Sequence, residues 1–359
     1  MSTMSSHALF PLLALATVTL PTQAAHAGTE AATQARIEQL MQRYEGEAPG
    51  ASLLVLKDGV PVVQRGFGFA NLEDHIVATP QTNYRLASIT KQFTAASILL
   101  LAEDGKLQLD DPVKRWLPSL PAAADAITIR QLLSHTSGLI DYEDVMPDDV
   151  TEQLHDRDVL TILEGQDRTY FTPGTSYRYS NSGYALLALI VGKASGQGFA
   201  SFLRQRIFLP LGMAQTVARE DNGPAVVNRA YGYSEHDGRW ERTDQSSTSA
   251  VLGDGGIYSS IEDLARWDAA LYDERLLKAS SLRQAFAPAT PTDEPHVPHY
   301  GFGWRIDGDC LWHSGESIGF RNVILRYPKE RLTVVLLSNR NDPEPYDTAV
   351  AIASLFRAH

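Results

Sequence analysis

Apolar positions change their spacing several times along this chain, and each change predicts a change of secondary structure. Ile37, Leu40, Met41 and Tyr44 recur at helical spacing and predict an amphipathic helix over Thr33–Tyr44. Ala51–Leu56 (ASLLVL) and Val60–Phe69 (VPVVQRGFGF) are β-rich runs. Lys57-Asp58-Gly59 between them reads as a hairpin turn whose glycine is free to take positive φ. From Ser88 the period becomes helical, with Phe93, Ile98, Leu99, Leu101 and Ala102 on one helix that stops at Asp104-Gly105. Residues 106–230 are helix-rich, with Ile129–Leu133, Val159–Leu163, Tyr184–Ser195 and Phe199–Leu209 punctuated by Pro or Gly. Strand patterning returns in Phe302–Ile306, Cys310–His313, Phe320–Tyr327 and Leu332–Asn339, and a last helix fits Tyr346–Phe356. This layout predicts an α+β fold: one antiparallel sheet flanked by helices, built from both ends of the chain, with an all-helical region inserted between them.

The N-terminus follows a different logic. Ala8–Leu20 is an uncharged apolar run of 13 residues, and Ala25-His26-Ala27 is a small-x-small site before Gly28. Such a run spans only ~20 Å as a helix, short of a bilayer core of ~30 Å, so stable membrane insertion is not expected. Residues 1–27 are therefore read as a signal peptide and 28–359 as the mature chain, periplasmic or secreted, although Met1–His7 lacks Lys and Arg. The alternative is a buried N-terminal helix. The single cysteine, Cys310, excludes an internal disulfide and a Cys-based metal cage. Among the 359 residues Lys+Arg number 31 against 43 Asp+Glu, a net charge of −12, which argues against a nucleic-acid partner.

Three short motifs carry candidate chemistry. In Ser88-Ile89-Thr90-Lys91, positions i and i+3 share a helix face, so a hydroxyl and an amine can meet there. A serine needs such a base to become a nucleophile, and a lysine serves only if its pKa falls from ~10.4 toward neutrality. The bland alternative is a serine N-cap followed by a solvent lysine. Of the seven lysines, only Lys91 has a serine three positions before it. In Tyr179-Ser180-Asn181 a phenol could relay a proton and an amide could orient a substrate; alternatively Asn181 caps a helix and Tyr179 packs. His313-Ser314-Gly315 ends a strand along which a substrate backbone could pair, and the Glu316 N–H just beyond could donate to an oxyanion. His135 in LLSHTSGL reads as a structural histidine, Asp254 as shaping a loop near the site, and His296 and His299 as loop residues.

Taken in order, Ser88-x-x-Lys91, Tyr179-x-Asn181 and His313-Ser314-Gly315 resemble the three motifs of the serine β-lactamase/penicillin-binding family. The nearest branch comprises class C β-lactamases, DD-peptidases, D-aminopeptidases and related carboxylesterases. Flanking stretches such as TIRQLLSHTSGL (128–139) and WHSGESIGFRNVILRYP (312–328) look like the family's, and the resemblance covers roughly 45–345. It implies an α/β lobe from residues 28–87 and 231–359, a mainly helical lobe from 88–230, and an active site between them. It implies Ser88 as acylated nucleophile, Lys91 as general base, and Tyr179 as proton relay to the leaving group. Asn181, His313, Ser314 and Gly315 would bind substrate, and the Ser88 and Glu316 N–H groups would form the oxyanion hole. No metal or other cofactor is implied, and the partner is a small-molecule or peptide substrate; the oligomeric state is left open.

Two departures bear on the substrate. The third motif begins with His313 where β-lactamases of this branch have lysine. Glu316 beside the oxyanion strand would repel a substrate carboxylate, unless Arg321 or another cation offsets it. These favour an exported esterase or peptidase-like hydrolase acting on neutral esters or amides. The alternatives are a class C-like β-lactamase or DD-carboxypeptidase, and a non-catalytic penicillin-binding-type sensor.

Overall fold

One antiparallel sheet is closed from both ends of the chain. Its strands are β1 (Ala51–Lys57), β2 (Val60–Phe67), β3 (Thr290–Glu294), β4 (Val297–Tyr300), β5 (Arg305–Asp307), β6 (Cys310–Ser317), β7 (Phe320–Tyr327) and β8 (Leu332–Ser338). They lie in the order β3-β4-β5-β6-β7-β8-β1-β2. The N-terminal hairpin thus completes the C-terminal meander, as the two separated β-rich regions predict. The β1–β8 register sets Leu54 opposite Val335 and Ala51 opposite Ser338. Every residue of β8 is buried, which explains why LTVVLLS reads as a continuous run rather than an alternation.

The computed structural model describes residues 22–288 and 290–357, so the apolar run Ala8–Leu20 read as the signal-peptide core lies outside them. Met1–Leu40 and Met41–His359 are separate units. Helix α1 (Thr22–Met41) contains Ala25–Ala27, starts eleven residues before the predicted Thr33 and ends on the first residue of the second unit, where a 3₁₀ turn, Gln42–Tyr44, follows it. In the second, the helices that matter for the site are α2 (Thr90–Glu103), α3 (Asp156–Glu164), α4 (Asn181–Ser195) and α5 (Leu252–Gly255). Helices α6 (Ile261–Ala270) and α7 (Tyr346–Ser354) pack against the central strands of the sheet.

Two elements differ from expectation. His299 is not in a loop, because Val297–Tyr300 pairs with both Thr290–Glu294 and Arg305–Asp307, whereas His296 does lie in the turn between the first two of these strands, at φ +60°. Pro298 is accommodated because the register of the first pairing shifts beside it, and a proline is tolerated at such an irregularity. Strand β6 also runs past His313 to Ser317, since Gly315, Glu316 and Ser317 continue the ladder with Asn322, Arg321 and Phe320. The third motif is therefore strand throughout.

Candidate active site

Ser88 sits in a 3₁₀ turn, Ala87–Ile89, that feeds directly into α2. The turn is unusual: Ala87 takes φ +47°, a left-handed conformation that a side chain rarely adopts. Strand β6 presses against the same turn, and a Cβ on Gly315 would overlap the Leu86 carbonyl. Glycine is thus the residue that lets the third motif approach the serine.

Lys91 is completely buried one helical turn on, as are all residues of α2 from Thr90 to Leu101. Its Nζ lies 3.0 Å from Ser88 Oγ, 2.7 Å from Asn181 Oδ1 and 3.0 Å from the Asp254 carbonyl oxygen. The i, i+3 geometry read from the sequence is present, and the solvent-lysine alternative is excluded by burial. Asn181 is the first residue of α4, and Ser180 is the cap, accepting from the Gly183 N–H at 3.4 Å. The Asp141 carboxylate accepts from the Asn181 and Ser182 N–H groups at 2.6 and 3.3 Å, which fixes the Asn181 amide toward Lys91.

Tyr179 lies beside the lysine, with Nζ 4.9 Å from its ring centroid. Its buried hydroxyl has no protein partner among the described residues. His135 packs on the Tyr179 ring at 4.3 Å between centroids, and its Nδ1 accepts from the Ser180 N–H at 3.1 Å. It supports the second motif from below, consistent with the structural reading made for it.

His313 is wholly buried. Its Nδ1 faces the Ser314 carbonyl at 2.6 Å, which only accepts, so Nδ1 carries the proton and Nε2 accepts from the Tyr300 hydroxyl at 2.9 Å. Burial, with Arg305 adding to it, holds both His313 and His135 well below the usual imidazole range, so both rings are neutral. The His313 ring stands behind the cleft surface. What a substrate meets at this motif is Ser314.

Ser88, Tyr179, Asn181, Ser314, Glu316 and Glu143 line a cleft of about 580 Å³, together with Arg305 and Arg321. Arg321 is the cation named from the sequence as an offset for Glu316, whereas Arg305 is not singled out there. Arg305 donates to Ser314 Oγ at 2.9 Å and lies over the Trp312 ring at 4.9 Å. Arg321 pairs with Glu316 at 2.8 Å and with Glu344 at 2.5 Å. Arg305 sits opposite Trp312 in the β5–β6 ladder, a register that only the tertiary pairing reveals. The one signal available earlier was a charged residue closing the apolar run Phe302–Trp304.

A hydroxyl, a buried amine and a phenol gathered beside strand β6 fit the motif pattern of a serine hydrolase of the Ser-x-x-Lys kind. Sequence comparison places it more narrowly: the chain belongs to the beta-lactamase family, whose model matches residues 33–358. It is 33% identical over 322 residues to penicillin-binding protein 4* of Bacillus subtilis (strain 168), covering 84% of this chain and 71% of that one. It is 31% identical over 330 residues to a D-aminopeptidase of Gluconobacter oxydans (strain 621H), covering 89% of this chain but only 61% of that protein. The octameric penicillin-binding protein homologue from Pyrococcus abyssi superposes with a TM-score of 0.78 at 27% identity, over 90% of this chain and 77% of that one.

Proposed function

We propose that this protein is an exported serine hydrolase that cleaves an ester or amide through an acyl-enzyme on Ser88, with Lys91 as general base. The observation that carries the reading is the set of three contacts at Lys91 Nζ. Two of the three partners, Asn181 Oδ1 and the Asp254 carbonyl, can only accept. An unprotonated amine has two hydrogens and one lone pair. With both hydrogens committed to those acceptors, the lone pair faces the Ser88 hydroxyl and can take its proton as Oγ attacks the carbonyl. The Ser88 and Glu316 N–H groups stabilise the oxyanion. Tyr179, beside the amine, passes the proton to the departing alcohol or amine, and water then releases the acyl group.

The substrate class follows from the third motif. Arg321 supplies a cation for Glu316 but shares it with Glu344, so repulsion of a substrate carboxylate is weakened rather than removed. Arg305 adds a cation directly at Ser314. These two observations favour the second reading, in which the leaving side of the substrate bears a carboxylate, as in a peptide terminus or a β-lactam. The similarity to a penicillin-binding protein and a D-aminopeptidase supports a penicillin and peptides containing D-amino acids as the first substrates to assay.

The direct test is mass spectrometry after a fluorophosphonate probe. One adduct on Ser88, absent in Ser88→Ala, is expected; labelling elsewhere refutes the assignment. Steady-state kinetics on p-nitrophenyl butyrate, nitrocefin and a D-alanyl-D-alanine peptide then rank the classes. A burst without turnover on all three would mark a sensor rather than an enzyme.

A further inference from the structure

Asp156 is the first residue of α3 and lines a second cavity of about 800 Å³, which it shares with His155, Lys193, Phe199 and Arg219. None of these residues lines the cleft that holds Ser88. The Asp156 carboxylate nevertheless reaches out of that cavity's wall to the backbone of α5. Its Oδ2 accepts from the Leu252 N–H at 3.1 Å and its Oδ1 from the Gly253 N–H at 2.9 Å. The next residue is Asp254, whose carbonyl oxygen holds Lys91 Nζ. A second tether fixes the same segment from the other side, where Thr94 Oγ1 donates to the Gly253 carbonyl at 2.7 Å. The segment has no slack: a Cβ on Gly253 would overlap the Tyr184 carbonyl.

We infer that Asp156 is a positioning residue for the catalytic lysine, acting through the Leu252–Asp254 backbone from a cavity separate from the active site. The inference rests on Lys91 being the base. The Asp254 carbonyl is one of the two acceptors that turn the lysine lone pair toward Ser88. If that carbonyl drifts, one N–H is released and can swing onto Ser88 Oγ, and the amine becomes a donor to the group it must deprotonate. Only an ionised carboxylate offers each N–H a full acceptor. Burial pushes the Asp156 carboxyl up to about 6, still below neutrality, so both bonds are available at pH 7.5. An asparagine at this position keeps the shape but turns an NH₂ toward one of the two N–H groups.

The test is Asp156→Asn in the full chain, read as the rate constant for fluorophosphonate labelling of Ser88 and as kcat and KM for the best ester. Labelling about tenfold or more slower, with kcat reduced alike and KM unchanged, is expected. A loosened fold would instead raise KM and lower the melting temperature. Labelling within twofold of the parent in a folded variant overturns the inference. Should Asp156→Asn not fold, Thr94→Val decides: it cuts the other tether, should slow labelling in the same direction, and overturns the inference if it does not. Lys91→Ala separates the two levels. If it labels at the parental rate, the base assignment fails; if it is inert while Asp156→Asn is normal, only the role of Asp156 fails.

Discussion

Glu316 and Arg321 face each other across the β6–β7 ladder, and their side chains close an ion pair of 2.8 Å at the rim of the cleft. The arginine is mostly buried while Glu316 is exposed, so the pair contributes little to stability, on the order of 0.5 kcal/mol. Its effect is on the local charge: with Arg321 in place, Glu316 does not present a bare carboxylate to substrate. Arg321→Gln should therefore lower kcat/KM about fivefold for a carboxylate-bearing substrate at low salt and leave a neutral ester unchanged. Parallel kinetics on nitrocefin and p-nitrophenyl butyrate check this. Equal losses on both would assign Arg321 a purely structural part.

Arg305 should show a larger and equally selective effect. Its guanidinium already donates to Ser314 Oγ and is held over Trp312, so it is preorganised for a planar acceptor. Arg305→Gln keeps a donor but removes the charge. A loss of about 10- to 100-fold in kcat/KM, mostly in KM, is expected for carboxylate-bearing peptides or β-lactams. Esters without a carboxylate should change less than about threefold.

The first two motifs were legible in the sequence because their geometry is local. Ser88 and Lys91 are three residues apart on one turn-and-helix segment, and Lys91 is buried with the rest of that helix, whose residues from Thr90 to Leu101 are buried on every side. Tyr179 and Asn181 flank a helix cap, which fixes both. The third motif was recognised as residues but not as chemistry. Which way His313 faces, and which cation stands beside Ser314, depend on strand register across β5, β6 and β7, and register is set by partners distant in sequence. Strands β3 and β4 were missed for another reason: Pro291, Pro298 and acidic residues break the alternation that marks a strand. Asp141 and Asp156 could not be singled out at all, since a carboxylate that receives backbone N–H groups resembles any loop aspartate in sequence.

The two buried histidines give the protein a definite acid sensitivity. Both are held below the ordinary imidazole pKa in the fold, mainly by burial, whereas in the unfolded chain each returns to ~6.5. Below that pH the unfolded state binds protons that the folded state refuses, so each histidine costs stability as pH falls, by up to about 1.4 kcal/mol per pH unit. Asp156, raised to about 6, and Asp254, also raised by burial, act in the opposite direction over the acid range. Comparing a variant with its parent isolates one histidine from these. His313→Gln should lose less stability than the parent as pH falls from ~6.5 to ~5, measured by urea unfolding. Parallel pH profiles for the two proteins would show that His313 takes up its proton within the fold.

Gly315 offers the sharpest separation of catalysis from stability, because its constraint is a contact between the third motif and the turn that carries the nucleophile. An alanine there puts its methyl group into the Leu86 carbonyl, two residues before Ser88. At Gly315 strand β6 is paired with β7, the β5 ladder reaching no further than Trp312, and Asn322 Nδ2 also ties β7 to the Arg85 carbonyl at 2.8 Å. The sheet cannot yield as a whole, so the strand edge and the Ala87–Ile89 turn must part locally by a fraction of an ångström. That displacement separates the Glu316 N–H from the Ser88 N–H, the two groups assigned to the oxyanion. Losing one such donor is typically worth ~2.7–4 kcal/mol in the transition state. Gly315→Ala should accordingly lower kcat about 100-fold or more, keep a cooperative unfolding transition, and leave fluorophosphonate labelling confined to Ser88. A variant with parental kcat would show that the strand and the turn can separate without consequence, and the oxyanion assignment to Glu316 would then have to be abandoned.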